Sequence, residues 1–340
     1  FSNGYAAFQV ALAAPIVALW AIARHGVSRA LLVRAAAAAA VGAVLLAPAV
    51  VAHLRVWGSR TPLPGDLARY AADLGTYLAV APGLPLSGWL PGVGQPEGHL
   101  FPGAVVVLLA AVAFVPIRRT AQVARWRWLY LALAAVALVV SLGPAPQAWG
   151  RPLAVPRVYD WLLNVVPLFN ALRVPARFGL LTVLSAGLLA AMGAARLLSL
   201  TGRRTSMAVT TLLCAVVVWE GWGRPLELSA GRVSSAGGDQ AAYTWLARQP
   251  RGVALDLPIS TLGRSRFGLE HQIAALEHGH PIVGGPSRIQ TPLQDFLGGS
   301  ASPLSHPSRL DQAVPFLRGI GVRYVLLRPG QFRDPAVAAS

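Results

Sequence analysis

The stretch FGLLTVLSAGLLAAMGAARLL, running from Phe178 to Leu198, decides the fold. Its one charge, Arg196, sits close to its end. An apolar run of roughly 20 residues is what a helix needs to cross the hydrocarbon core of a bilayer. Five other stretches read the same way: Tyr5–Ala23, Ala35–Ala52, Phe101–Ile117, Trp128–Leu142 and Met207–Trp222. The second rests on an alanine run and contains Pro48; the fourth is short, with Trp126 and Trp128 marking its interfacial end. The composition of all 340 residues agrees, with 55% hydrophobic and 12% charged residues. A soluble domain carries about 25% charged residues, so a water-soluble globule is excluded. A disordered chain needs the opposite balance.

Arginine orients the spans. The formal net charge is +16, and every basic residue other than histidine is Arg. Arg24, Arg29 and Arg34 fall between the first two spans, Arg118, Arg119, Arg125 and Arg127 between the third and fourth, and Arg196, Arg203 and Arg204 between the fifth and sixth. These short connections hold no acidic residue, and by the positive-inside rule they face the cytoplasm. The longer loops, about His53–Leu100 and Gly143–Arg177, then lie outside, as does everything after the sixth span. A pI near 11.5 points to nucleic acid in a soluble protein; here the arginines flank apolar spans, so nucleic acid is not the expected partner. The single cysteine, Cys214, lies in an apolar stretch and reads as a small buried hydrophobe. The first residues carry no charged leader and no small-residue cleavage site, so the chain reads as the C-terminal part of a longer protein.

The composition shifts near Arg224. Residues 1–223 read as the transmembrane helical region, and residues 224–340 as a small extracytoplasmic α/β domain. The fold expectation is therefore a mainly α polytopic bundle of about six spans followed by that domain. In the tail, Gly231–Gly238 reads as a linker, and Asp239 as the cap of a helix through about Arg248. Val253–Leu257 reads as a strand stopped by Pro258, Leu269–His278 as a second helix, and Ser308 as the cap of a helix through about Leu317. Gly319 and Gly321 end that helix, and Val322–Leu327 is a final strand. Strands alternating with helices make a small α/β unit. In the outer loops, Asp66–Val80 reads as a short helix, and Tyr159–Leu163 as an amphipathic helix with Tyr159 and Trp161 at headgroup depth.

Several strings resemble a known family. Asn170-Ala171-Leu172-Arg173-Val174-Pro175-Ala176-Arg177-Phe178, entering the fifth span, is similar to the R-x-P-x-R-F entry of the YfhO-like proteins. These are bacterial membrane proteins of GT-C-type glycosyltransferase architecture. Glu97-Gly98-His99-Leu100-Phe101-Pro102-Gly103 resembles that family's acidic loop end. Val253–Pro258, Glu277–Gly285 and Leu317–Val325 resemble its extracytoplasmic domain. The resemblance implies glycosyl transfer from a polyprenyl-phosphate-linked sugar to a glycan or lipid acceptor, at the outer face of the bacterial plasma membrane. It also implies a catalytic carboxylate in the first outer loop of the whole protein, upstream of Phe1, so no carboxylate of this chain inherits the catalytic role.

Read from the residues themselves, Arg173 and Arg177 are four apart and share a face if helical. Two guanidiniums there suit a lipid phosphate, although Pro175 stands between them. The alternative is anchoring to headgroups. Glu97 and His99 form a second polar pair, suited to a base and its partner or to a divalent metal, against ordinary loop polarity. Asp66 and Asp73 are seven apart and fall on one face of the expected loop helix, with Asp66 also suited to a helix cap. His271, His278 and His280, with Glu270 and Glu277, lack helical metal-ligand spacing. No metal or other cofactor is identified. Glu220, between Trp219 and Trp222, reads as an interface residue. Phosphate-loop, nucleophile-elbow, HExxH and CxxC motifs do not occur. A non-enzymatic scaffold or export component for cell-envelope polymers is the alternative function.

Overall fold

The computed structural model describes residues 4–57, 64–89, 97–116, 125–166, 169, 172–223, 238–259, 265–284, 292–298, 302–305 and 309–328. The protein is mainly helical. It divides into two compact units, Phe1–Leu226 and Glu227–Ser340. Arg118, Arg119, the Gly231–Gly237 part of the linker, Ser308, the side chain of Asp239 and the loop residues 61–63 and 91–96 lie outside the described residues.

The first unit contains α1 (Gly4–His25), α2 (Arg29–Trp57), α3 (Pro64–Arg69), α4 (Ala104–Val112), α5 (Trp126–Ser141), α6 (Val158–Val165), α7 (Gly179–Leu198) and α8 (Arg203–Glu220). Two helical stretches, Tyr5–His25 and Pro175–Leu198, are long and apolar enough to cross a membrane; Trp126–Ser141 is apolar but shorter. The helices alternate in direction. The α8 carboxylate of Glu220 meets the start of α4, while Arg196 from the end of α7 and Arg127 from the start of α5 meet its finish. Trp20, near the end of α1, stacks against Trp126 at the start of α5, with ring centroids 4.2 Å apart. Thus α1, α4 and α7 run one way and α5 and α8 the other.

At nine residues, α4 is only about 14 Å long. The expected span Phe101–Ile117 is therefore not one continuous helix. Pro102 and Gly103 bound its start, Gly103 at φ 105, and Pro116 follows its last turn. Both ends of the short helix are capped by charges of the sign its dipole prefers. Backbone N–H of Val105 donates to Glu220 at 3.4 Å. The carbonyl of Ala113 accepts from Arg196 at 2.5 Å and from Arg127 at 3.3 Å, and that of Val115 from Arg196 at 2.6 Å. Halfway along, α4 and α7 touch backbone to backbone: a Cβ on Gly193 would stand 1.7 Å from the Leu109 carbonyl oxygen. Small residues permit such an approach.

The loops pack at the Arg177 end. Tyr159, Leu162, Phe169, Leu172 and Phe178 form a buried cluster under Tyr5 and Phe8. In α6, Tyr159 is fully buried whereas Trp161 is exposed. Tyr159 and Leu162, three apart on a helix, share the inward face, so of the two rings expected at headgroup depth only Trp161 is on the surface. Burial pushes the Tyr159 phenol above its ordinary pKa. Cys214 is exposed on α8 rather than buried, because α8 presents no buried face among its described residues.

The second unit is built on a parallel pair. Strand β3 (Val253–Leu257) pairs with β4 (Val322–Leu327), Leu255 opposite Val325, and Ile282 bridges to Ala254 in parallel. The two-residue strands β1 (Gln147–Ala148) and β2 (Arg151–Pro152) belong to the first unit. Around β3 and β4 lie α9 (Gly238–Ala247), α10 (Ser265–His278), α11 (Pro292–Gly298) and α12 (Leu310–Gly319). Leu255, Leu257, Ile259, Leu297, Ala313, Leu317 and Val322 make its core.

Candidate functional site

The site at the Arg177 end begins with a turn that the sequence forces. Val174 precedes Pro175, and a residue before proline is pushed toward extended backbone; Val174 has φ −120 and ψ 83. Residues Pro175–Phe178 then form a single 3-10 turn leading into α7. Arg173 therefore stands before the turn and Arg177 within it. The two do not share a helical face, which corrects the spacing argument.

Tyrosines hold both arginines. The Tyr5 hydroxyl accepts the backbone N–H of Arg173 at 2.9 Å and of Val174 at 2.6 Å. The ring of the same tyrosine lies 5.0 Å below the Arg177 guanidinium. Gln9, one helical turn along α1, donates to the Arg177 carbonyl at 2.7 Å. Arg173 stacks over Tyr70 at 4.5 Å and donates to its hydroxyl at 2.7 Å. A guanidinium over an aromatic face is attracted to the ring quadrupole. Tyr5 thus ties the two arginines to α1, which neither motif nor spacing indicated; a tyrosine at the start of an apolar helix was the only sign.

Glu97 completes the site. Its carboxylate lies 2.8 Å from Nη2 of Arg177 and 3.3 Å from Nε, a side-on approach to the guanidinium fork. Both side chains are about one-third exposed, 39% for Arg177 and 34% for Glu97. His99 is exposed.

Asp73 has another role. The expected helix from Asp66 to Val80 is two pieces: α3 ends at Arg69, and a 3-10 turn spans Leu74–Tyr77. Asp66 and Asp73 therefore share no helix face: Ala71 N–H still donates to the Ala68 carbonyl at 3.4 Å, but Ala72 leaves the helical path and its N–H donates to the carbonyl of Ser141, at the end of α5, at 2.8 Å. The side chain of Asp66, in the first turn of α3, lies outside the described residues. The Asp73 carboxylate is fully buried. It accepts from three backbone N–H groups, those of Gly75, Trp149 and Gly150, each at 2.7 Å. Those groups take three of its roughly four acceptor sites, so it fastens the hairpin β1–β2 to the loop segment around Gly75. Trp149 (φ 49) and Gly150 (φ 74) form the turn of that hairpin.

Beneath the site, the Tyr77 hydroxyl lies 2.6 Å from Ser141 Oγ. Thr182 Oγ1 donates to the Ala134 carbonyl at 3.2 Å, joining α7 to α5.

In the second unit, Arg328 is buried at the end of β4. Its guanidinium lies 3.6 Å from Asp256 and 3.9 Å from Glu270, and it hydrogen-bonds the Tyr243 hydroxyl. None of this cluster was expected from spacing. His280 is buried, with Nδ1 3.0 Å from the Gly252 carbonyl and Nε2 2.9 Å from that of Leu246. His278 Nδ1 accepts the His280 backbone N–H at 3.1 Å. Burial, and next the neighbouring His280, hold His278 below the ordinary histidine pKa. Among the described residues no group of three or more His, Cys, Asp or Glu could hold a metal ion.

No protein-family model, no curated protein and no solved structure matches this chain.

Proposed function

We propose that the chain is part of a multi-pass protein of the bacterial plasma membrane with GT-C-like architecture. In this reading it handles a polyprenyl-phosphate-linked sugar at the outer face, and Arg173 and Arg177 bind the phosphate. The spans hold the water-excluded prenyl chain. The second unit, on the outer side, contributes to the acceptor site for a glycan or lipid. The catalytic carboxylate belongs to the upstream part of the whole protein.

The observation that carries this reading is the pair of arginines held by Tyr5 and Tyr70 at the start of an apolar helix. Fixed guanidiniums at that position suit a phosphate that must stay in register with a lipid chain. The membrane part draws support from the ends of the helices. Trp20, Trp126 and Trp128 accompany Arg24 and Arg127 at one end; exposed Trp161, Trp219 and Trp222 accompany the other. Aromatic residues at both interfaces are the expected belts of a spanning bundle.

The test uses the full-length protein in membranes supplied with polyprenyl-phosphate sugars. Transfer to a glycan or lipid acceptor is expected, with Arg173→Ala and Arg177→Ala each losing donor binding. Unchanged binding in both variants overturns the reading. The alternative is non-enzymatic, a scaffold or export component for cell-envelope polymers. Donor binding without transfer in the full-length protein selects it.

A further inference from the structure

Resting on the phosphate-binding reading above, we propose that Glu97 is a built-in competitor for the anion site on Arg177. Its carboxylate occupies the guanidinium edge that a phosphate group takes, and a phosphate-bearing ligand binds by exchanging with it.

The geometry carries the argument. One face of the Arg177 guanidinium is covered by the Tyr5 ring at 5.0 Å, and the residue's carbonyl is held by Gln9 at 2.7 Å. The group is thereby fixed, and its Nε–Nη2 edge points at Glu97: Nη2 donates to Oε1 at 2.8 Å, and Nε lies 3.3 Å from Oε1 and 3.4 Å from Oε2. Two oxygens of a carboxylate and two oxygens of a phosphate meet that edge in the same way, so both cannot hold it at once.

The pair is also exchangeable. The backbone beside Glu97 is pinned, with Leu100 N–H donating to the Thr76 carbonyl at 2.9 Å and Gly98 buried. Release therefore needs only rotation of the Glu97 side chain. At 39% and 34% exposure the ion pair stays in reach of water, where such pairs contribute little. A phosphate monoester carries more charge than a carboxylate, and a phosphodiester still brings two anionic oxygens that meet the guanidinium edge as a carboxylate does. The groups facing the exchange are Arg177, the Tyr5 ring and Glu97 itself. A neutral ligand has no means of displacing Glu97, so the arrangement selects for phosphate before any sugar is recognised.

Calorimetric titration of the protein in phosphatidylcholine nanodiscs tests this, with inorganic phosphate and farnesyl monophosphate as separate probes. E97Q is expected to bind roughly fivefold tighter than wild type. R177Q binds more weakly, and the double variant binds no tighter than R177Q. E97A, which places no amide at the guanidinium, follows E97Q and guards against an effect of the amide. Tighter binding of farnesyl monophosphate alone supports exchange with a lipid-linked phosphate; tighter binding of both probes supports exchange with the phosphate group itself. If E97Q and E97A bind no tighter while R177Q weakens, the exchange is overturned and the phosphate reading stands. If R173Q and R177Q both bind as wild type does, the phosphate reading fails and the exchange fails with it.

Discussion

Asp73 carries more of the first unit's order than any acid whose role is binding. A buried carboxylate that accepts three backbone N–H groups cannot lose its charge cheaply, because charge-assisted hydrogen bonds are the strong ones. Asp73→Asn puts an amide N–H against backbone N–H groups, and a loss of about 3 kcal/mol is expected; denaturant titration of the detergent-solubilised protein measures it. His278 gives a second residue-level expectation, with a definite sign. Its pKa is depressed below the ordinary 6.5 in the folded state, so the unfolded chain binds more protons as the pH falls. Stability of the second unit is then fully present above pH 6.5 and is lost as the pH drops below that value toward the folded pKa. His278→Gln is expected to flatten this part of the melting-temperature profile; an unchanged slope refutes it. Residue types were readable where partners were not. The proposed anion site rests on the residue types of Arg173 and Arg177, but Tyr5 is 168 positions from Arg173 and Tyr70 is 103. No periodicity links positions so far apart. Asp73 was misjudged for the opposite reason: a helical phase was extended across Ala71 and Ala72, where the chain turns away.

At the scale of elements, hydropathy located the helices well and their lengths poorly. The apolar run from Phe101 to Ile117 contains a helix of nine residues, because flanking prolines and the arginine caps end it early. Those caps come from other helices and leave no local trace. The contact of α4 with α7 depends on one missing side chain. Gly193→Ala places a methyl group 1.7 Å from a carbonyl oxygen, so the helices must separate. A loss of about 3 kcal/mol is expected, at the upper end for overpacking. Thermal unfolding of the purified variant checks this, and a melting temperature equal to wild type refutes it. In the second unit, β3 and β4 were legible from short apolar runs ended by Pro258 and opened after Gly321. Their parallel pairing follows from the helices between them. The cluster of buried Arg328 and Asp256 with partly exposed Glu270 of α10 was not legible, since it depends on strand register and on how α10 packs.

For the whole molecule, the expected topology has a direct test. A reporter fused after Ser340 is expected to be active only in its extracytoplasmic form, and cytosolic activity overturns the proposed orientation. The division into two units follows the change in composition from apolar helices to mixed strands and helices. Arginine placement is what the expected sidedness rests on, and it carries nothing about the side chains that meet at the Arg177 end. The knot at Asp73 has a dynamic corollary. A single carboxylate closes the Asp73–Gly75 turn and the β1–β2 turn together, so neither is free to open alone. The amides of Gly75, Trp149 and Gly150 should exchange with deuterium through one shared event, at one rate, despite lying more than 70 positions apart along the chain.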